Sequence, residues 1–160
     1  MGKLNHLIGR TIPWLTLGMV VVTFTVVIFR YVFERGWVWM QELVVYMHAF
    51  TFLFASAYAL RRDAHVRVDI LYRPLSKHGK AMVDLCGNLL LLLPTSVAIL
   101  YYAVPFALES WRVLEGSKDG GGLEALFLLK SAIPVFCLLL ILQALSSARR
   151  AVSVLNSSAL

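Results

Sequence analysis

The chain has 160 residues, of which 59% are hydrophobic and 15% are charged, and its mean hydropathy is +0.76. Soluble domains are roughly 45 to 50% apolar and about 25% charged, so a soluble fold of this size is excluded because it could not bury so much apolar surface. The formal charge of +6 does not indicate nucleic-acid binding, because the cations lie in loops beside apolar runs and form no basic amphipathic face.

Four apolar runs are each long enough to cross a membrane. A crossing needs about 20 residues, because a helix rises about 1.5 Å per residue and the hydrocarbon core is about 30 Å thick. The sequence therefore predicts an all-α integral membrane protein. Its single domain would have spans at about 11–33, 41–60, 81–108 and 125–147. The third helix can extend to residue 114, before the glycines that follow end it.

Positive charge is unevenly distributed between the connections. Ten of the fifteen Lys and Arg residues fall on the side that holds both termini and the loop 61–80, and three fall on the other side. The positive-inside rule therefore predicts cytoplasmic termini, a cytoplasmic loop 61–80 and a periplasmic loop 109–124. A short helix lying at the interface is a further expectation for 69–76, although its apolar residues follow no clear period.

The first two spans should form a tight hairpin, because the connection 34–40 is short. Arg30 lies near the end of span one, and Glu42 lies in the first turn of span two, where a carboxylate meets the favourable end of the helix dipole. The two side chains should therefore lie at similar depth. Two interpretations remain open: an ion pair, direct or through water, and two side chains that reach the headgroups separately.

Polar and small residues share one face in spans two and three. In span two that face includes His48, which we interpret as a packing histidine rather than a metal or haem ligand. In span three the residues recur at steps of four and three, at Asp84, Asn88, Leu91, Thr95, Ala98 and Tyr102. Both faces should contact protein, either the other spans or a partner, because a lipid-facing amide lacks hydrogen-bond partners. Pro94 and Pro105 predict kinks.

The chain shows no nucleophile, phosphate-loop or zinc motif, so it is expected to be neither an enzyme nor a cofactor-binding protein. The alternative is the membrane anchor of a respiratory complex. In such an anchor, a haem with two histidine ligands would need two histidines inside the membrane. His48 is the one histidine inside a predicted span, so this alternative is disfavoured. The charges inside the spans lie near an interface, which favours a non-catalytic scaffold over an independent transporter.

Several short patterns occur along the chain in a fixed order. They are Arg30-Tyr31-Val32-Phe33, Trp39-x-x-Glu42, His65-Val66-Arg67-Val68-Asp69, Ser110-Trp111-x-x-x-Glu115-x-Ser117, Lys130-x-x-Ile133-Pro134 and Leu142-Gln143-Ala144-Leu145. In order, spacing and placement on four spans they resemble the small membrane subunit of tripartite ATP-independent periplasmic (TRAP) transporters, the DctQ type. The resemblance covers nearly the whole chain.

The resemblance implies a division of labour. A periplasmic protein would capture an organic acid, and a large membrane subunit would move it with a sodium gradient. The small subunit would brace the large one in a stable heterodimer. Sodium ions are then expected in the large subunit, and no cofactor or metal is expected here. The other implied partners are the binding protein, transiently, and membrane lipid. The implied location is the inner or plasma membrane of a bacterium or archaeon.

The same resemblance implies structural or subunit-interface roles for eight residues. Arg30 and Glu42 would fix the outer hairpin or contact the large subunit. A block in the central loop would hold the cytoplasmic turn against lipid headgroups or span three, unless it is a solvated loop; it consists of His65, Arg67 and Asp69. Trp111 and Glu115 would touch the binding protein, unless the tryptophan is an interfacial anchor. Lys130 is the remaining candidate.

Overall fold

Four long helices make up most of the chain in the computed structural model, which describes residues 2–61 and 72–157. They are α1 (Gly2–Val32), α2 (Val38–Arg61), α3 (Lys77–Arg112) and α4 (Leu126–Ser157). Each is long and apolar enough to cross a membrane, and the described ranges contain no strand. The predicted all-α fold with four spans is confirmed.

The helices extend beyond the predicted spans. α3 begins at Lys77 rather than near residue 81, because the Ser76 side chain caps it by accepting a hydrogen bond from Gly79 N at 3.1 Å. With 36 residues, α3 is about 54 Å long and exceeds the hydrocarbon core. The interfacial helix predicted for 69–76 lies partly outside the described residues, and residues 73–75 form a turn.

The helices are arranged as a row. α1 packs principally against α2, α2 packs against α4, and α4 packs against α3. The order across the molecule is therefore 1-2-4-3, which places α4 between α2 and α3. A row of this kind leaves two broad faces open. In the part of the chain that the structure describes, the buried residues all lie on α3 and α4.

Small residues fill the interface between α3 and α4. The buried apolar positions are Ala81, Ala103 and Ala107 on α3, with Ala132, Cys137, Ala144, Ala148 and Ala151 on α4. Small side chains let helix backbones approach closely, and in lipid this packing drives association because the hydrophobic effect does not.

A π-helical turn over Gly87–Leu92 interrupts α3. Leu93 N donates to Asn88 O, five residues back, so the turn holds one more residue than an α-helical turn. Pro94 follows at once. It has no N–H, and in a regular α-helix its ring would collide with the carbonyl of Leu90. The wider turn accommodates the proline where the sequence predicted a kink.

The π turn makes the predicted stripe of α3 wrong beyond Asn88. One extra residue rotates the following helix by about 100°. The buried face therefore moves one position along, from Thr95 to Ser96 and from Tyr102 to Ala103. Tyr102 is 73% exposed. In α2 the predicted packing face is partly uncovered, because His48 is exposed while Thr51 and Ala55 are half-buried.

Candidate functional site

The predicted site residues that the structure describes gather at one end of the row. We call it the loop end, defined by the connections 33–37 and 113–125. α1 and α3 enter these connections, and the last turn of each accepts a hydrogen bond from the connection that follows it. The N–H of Arg35 bonds to Phe29 O, and that of Glu115 bonds to Ser110 O, each at 2.9 Å. The second bond spans five residues and, together with the bond from Leu114 N to Trp111 O at 3.3 Å, forms a Schellman cap on α3, whereas the first spans six residues.

Each of these helix ends is followed by a residue with a left-handed backbone. These are Glu34, at φ 53°, and Leu114, at φ 46°. Glycine normally fills this position because it has no β carbon to strain the backbone. The cap after α3 also explains why that helix ends at Arg112 and does not reach residue 114. Its effect is to turn Glu115 back toward α4.

Glu42 binds the connection between α3 and α4. Ser117 Oγ donates a hydrogen bond to Glu42 Oε1, and Leu123 N donates one to Oε2 at 2.6 Å. The two donors are themselves joined, because Ser117 N bonds to Leu123 O at 3.0 Å. A carboxylate at the start of α2 thus holds a loop that lies more than seventy residues further along the chain.

Gly122 makes this contact possible. A β carbon at this position would lie 2.6 Å from Glu42 Oε2 and closer still to the Ser117 side chain. Only glycine leaves room for the carboxylate and the hydroxyl to meet. Gly120, two residues earlier, has no atom within 4 Å of such a carbon.

Glu115 and Lys130 form an ion pair across the α3–α4 hairpin. Lys130 Nζ lies 2.5 Å from Glu115 Oε2, and the side chains are 17% and 26% exposed respectively. The ammonium also lies 4.1 Å from the centre of the Phe106 ring, a cation–π distance. The pKa of Glu115 is lowered below its ordinary value of 4.5, principally by the bond from Lys130.

Trp111 joins the same two helices. Its Nε1 donates to Ser131 Oγ at 2.7 Å, and its ring centre lies 4.5 Å from that of Phe127. Ser131 in turn donates to Phe127 O at 2.7 Å, so its hydroxyl is used as both donor and acceptor. The indole remains 45% exposed. It therefore belongs to the hairpin and also presents an open edge to its surroundings.

Arg30 does not pair with Glu42. It is exposed in the last turn of α1, where a cation suits the helix dipole, and the described residues contain no ion pair between the two side chains. The direct form of the predicted ion pair is therefore wrong, because both carboxylate oxygens of Glu42 are occupied by the loop. His65, Arg67 and Asp69 lie outside the described residues.

Sequence reasoning missed a second polar group, at the opposite end of α3. The Tyr72 hydroxyl donates to Asp84 Oδ2 at 2.8 Å, and Asn88 Nδ2 donates to Asp84 O at 2.7 Å. Lys80 lies 5.6 Å from the centre of the Tyr72 ring. Ser76 was the signal in the sequence for this group. As the N-cap residue it fixes where α3 begins, and hence where Tyr72, four residues earlier, meets the helix.

The polar cluster at the loop end has the chemistry of a structural clasp. Glu42, Glu115 and Lys130 each engage a partner within the chain, so these three charged groups are not open to receive a ligand. Across residues 2–61 and 72–157, histidine, cysteine and acidic side chains form no group of three that could hold a metal ion.

Comparison with known proteins gives one family. Residues 19–154 match the family described as tripartite ATP-independent periplasmic transporters, DctQ component. No curated protein matches the chain. The match spans all four helices and is the family that the short sequence patterns indicated.

Proposed function

This chain belongs to the DctQ component family of the tripartite ATP-independent periplasmic transporters, and we propose that it braces the large membrane subunit without binding the transported substrate. It is the small permease component of a transporter that also contains a large permease subunit and a substrate-binding protein. The family match gives no support to the respiratory-anchor alternative.

One observation carries the bracing role. Three charged groups at the loop end hold α2, α3 and α4 together, through the bonds of Glu42 to the loop and of Glu115 to Lys130. A substrate site needs polar groups that are free to meet the substrate, and moving parts need contacts that can break. A cluster paired in this way suits a part that stays fixed while its partner moves.

The remainder of the proposal concerns coupling and substrate. We infer that transport is driven by sodium, that the ions and an organic acid bind in the large subunit, and that the binding protein docks transiently. The chain itself would carry no cofactor and catalyse no reaction. The cationic loops support a topology with both termini in the cytoplasm of a bacterial or archaeal cell.

Reconstitution tests the role. Three preparations are compared in liposomes: the large subunit alone, this chain alone, and both together, each with the binding protein and a set of candidate organic acids. We expect uptake from the complete set under an inward sodium gradient, and none from this chain alone. Equal uptake by the large subunit alone would refute the bracing role. Equal uptake without a sodium gradient would refute the proposed coupling.

Topology is tested separately with a membrane-impermeant maleimide on intact cells. Lys118 lies at the loop end, Ser153 lies near the other end of α4, and both are exposed. Cysteines at these positions therefore report the two sides of the membrane. We expect labelling of Lys118→Cys and none of Ser153→Cys until the membrane is opened. The reverse pattern would place the termini in the periplasm.

A further inference from the structure

His48 is an exposed ionisable side chain inside a membrane span. It lies six residues beyond Glu42 on α2, which places it about 9 Å further from the loop end. Glu42 marks the level of the polar connection, because its carboxylate binds Leu123 N. An imidazole at the depth of His48 therefore faces the hydrocarbon if nothing covers it.

Polar side chains inside a membrane rarely face lipid, because a group without a hydrogen-bond partner is costly there. His48 has a ring contact with Phe52, at 6.4 Å between ring centres, but neither ring nitrogen takes part in a hydrogen bond with the residues that the structure describes. Packing within the row does not satisfy it, so its partner must come from another molecule.

The exposed residues of α2 around His48 form one stripe. Gln41, Val45, His48 and Phe52 follow one another at steps of four, three and four, which places them on a single face. Val45 is 56% exposed and Phe52 is 66% exposed. Past Glu42, the other α2 positions as far as Phe54 are half-buried. The stripe is thus the part of this helix that a neighbouring helix could cover.

Several other polar groups in the spans are satisfied without a partner. The hydroxyls of Thr16, Thr23 and Thr25 on α1 each donate to the carbonyl four residues back. Tyr102 lies four residues from Phe106, which is at the level of Lys130, so its hydroxyl is within reach of the headgroup region. His48 has neither solution, because it lies deeper than Glu42 and an imidazole cannot bond to its own helix backbone in this way.

We propose that the exposed stripe of α2, formed by Gln41, Val45, His48 and Phe52, is the surface that a transmembrane helix of the large permease subunit covers. That helix would present a hydrogen-bonding group to the imidazole and apolar side chains to Val45 and Phe52. The inference rests on the bracing role proposed above. It chooses the large subunit because a permease component has to meet the rest of the permease inside the membrane, where this uncompensated polar group lies.

Site-specific photo-crosslinking in cells that express both subunits tests the surface. A photoreactive phenylalanine analogue replaces Phe52 in one variant and Phe24 in the other. The two positions form a matched pair, because both are phenylalanines inside a span and they are 66% and 65% exposed. We expect an adduct with the mass of this chain plus the large subunit from position 52 and none from position 24.

Three outcomes would overturn the inference while leaving the bracing role intact, provided that the unmodified chain still co-purifies with the large subunit. They are an adduct with the large subunit from position 24 alone, an adduct of two copies of this chain from position 52, and no adduct from either position. If the unmodified chain does not co-purify with the large subunit, the bracing role fails first and the inference fails with it.

A second measurement addresses the imidazole itself. Because a hydrogen bond between helices in a membrane contributes modestly, His48→Leu should weaken association with the large subunit by about 3- to 20-fold. His48→Gln, which keeps a hydrogen-bonding group, should recover part of the loss, and Val20→Leu, at an exposed position of α1 outside the stripe, should change little. Equal association of the wild type and His48→Leu would show that no partner group meets His48.

Discussion

Replacing Ala103 of α3 by leucine should destabilise the chain, whereas the same replacement at Ala98 should not. Ala103 is 6% exposed and faces α4, while Ala98 is exposed on the same helix five residues away. Leucine adds three carbon atoms in both cases and has nearly the helix propensity of alanine. The two variants therefore differ in where those atoms go and in little else.

The expected change in the free energy of unfolding follows from the packing at each position. Extra carbons between closely packed helices force the helices apart or the side chain out of its rotamer, at a cost of about 1 to 3 kcal/mol. That cost lowers the ratio of folded to unfolded chain by about 5- to 150-fold. At Ala98 the leucine would lie in lipid or detergent, and a change within about 0.5 kcal/mol is expected.

Unfolding of the isolated chain in mixed micelles measures both values. The fraction of sodium dodecyl sulfate in a mild detergent is raised, and the change is followed by the fluorescence of the four tryptophans, of which Trp111 has its ring against Phe127 of α4. The comparison also tests the π turn, because without it Ala98 would be on the packed face. A loss of stability at Ala98 that equals or exceeds that at Ala103 would refute the one-residue rotation of the helix.

Three further predictions concern the loop end. Gly122→Ala should separate the Glu42 carboxylate from the Ser117 hydroxyl, because the added β carbon would touch both, and so speed hydrogen exchange in residues 113–125. Gly120→Ala should leave the exchange unchanged. Equal exchange in the two variants would contradict this. Glu115 has a lowered pKa, so its stabilisation should be complete above its ordinary pKa of 4.5 and be lost as pH falls through the lower folded value. A pH titration of unfolding should show this loss in the wild type and not in Glu115→Gln. Leu114→Gly should raise the free energy of unfolding in mixed micelles by up to about 1 kcal/mol, because it relieves a left-handed backbone; a lower value would show that the exposed leucine packs usefully.

The four spans could be predicted because crossing a membrane is a property of one stretch of sequence at a time. A run of apolar residues either reaches the required length or does not. The Glu115–Lys130 pair was also within reach, since a short hairpin places the end of α3 beside the start of α4. Both residues had been selected, but their pairing had not been predicted.

What the sequence could not show depends on distant contacts and on register. An ion pair of Glu42 with Arg30 is one of the two interpretations that closeness along the chain allows, yet the partners of Glu42 are Ser117 and Leu123, 75 and 81 residues away. The stripe of α3 was extended at a constant period, which holds only if every turn is the same size. Pro94 was the available warning, because a proline in mid-helix demands some local adjustment.

The arrangement of the helices explains why Glu42 should matter more for the stability of this chain than for its assembly with the large subunit. α2 packs against α4, and its link to the α3–α4 connection is the carboxylate that holds Ser117 and Leu123. This bond therefore fixes the α1–α2 hairpin to the α3–α4 hairpin at the loop end. A defect in Glu42→Ala should first appear in the stability of the isolated chain and only then in assembly with the large subunit. A change in the exposed stripe of α2 should act in the opposite order, because its partner is outside the chain.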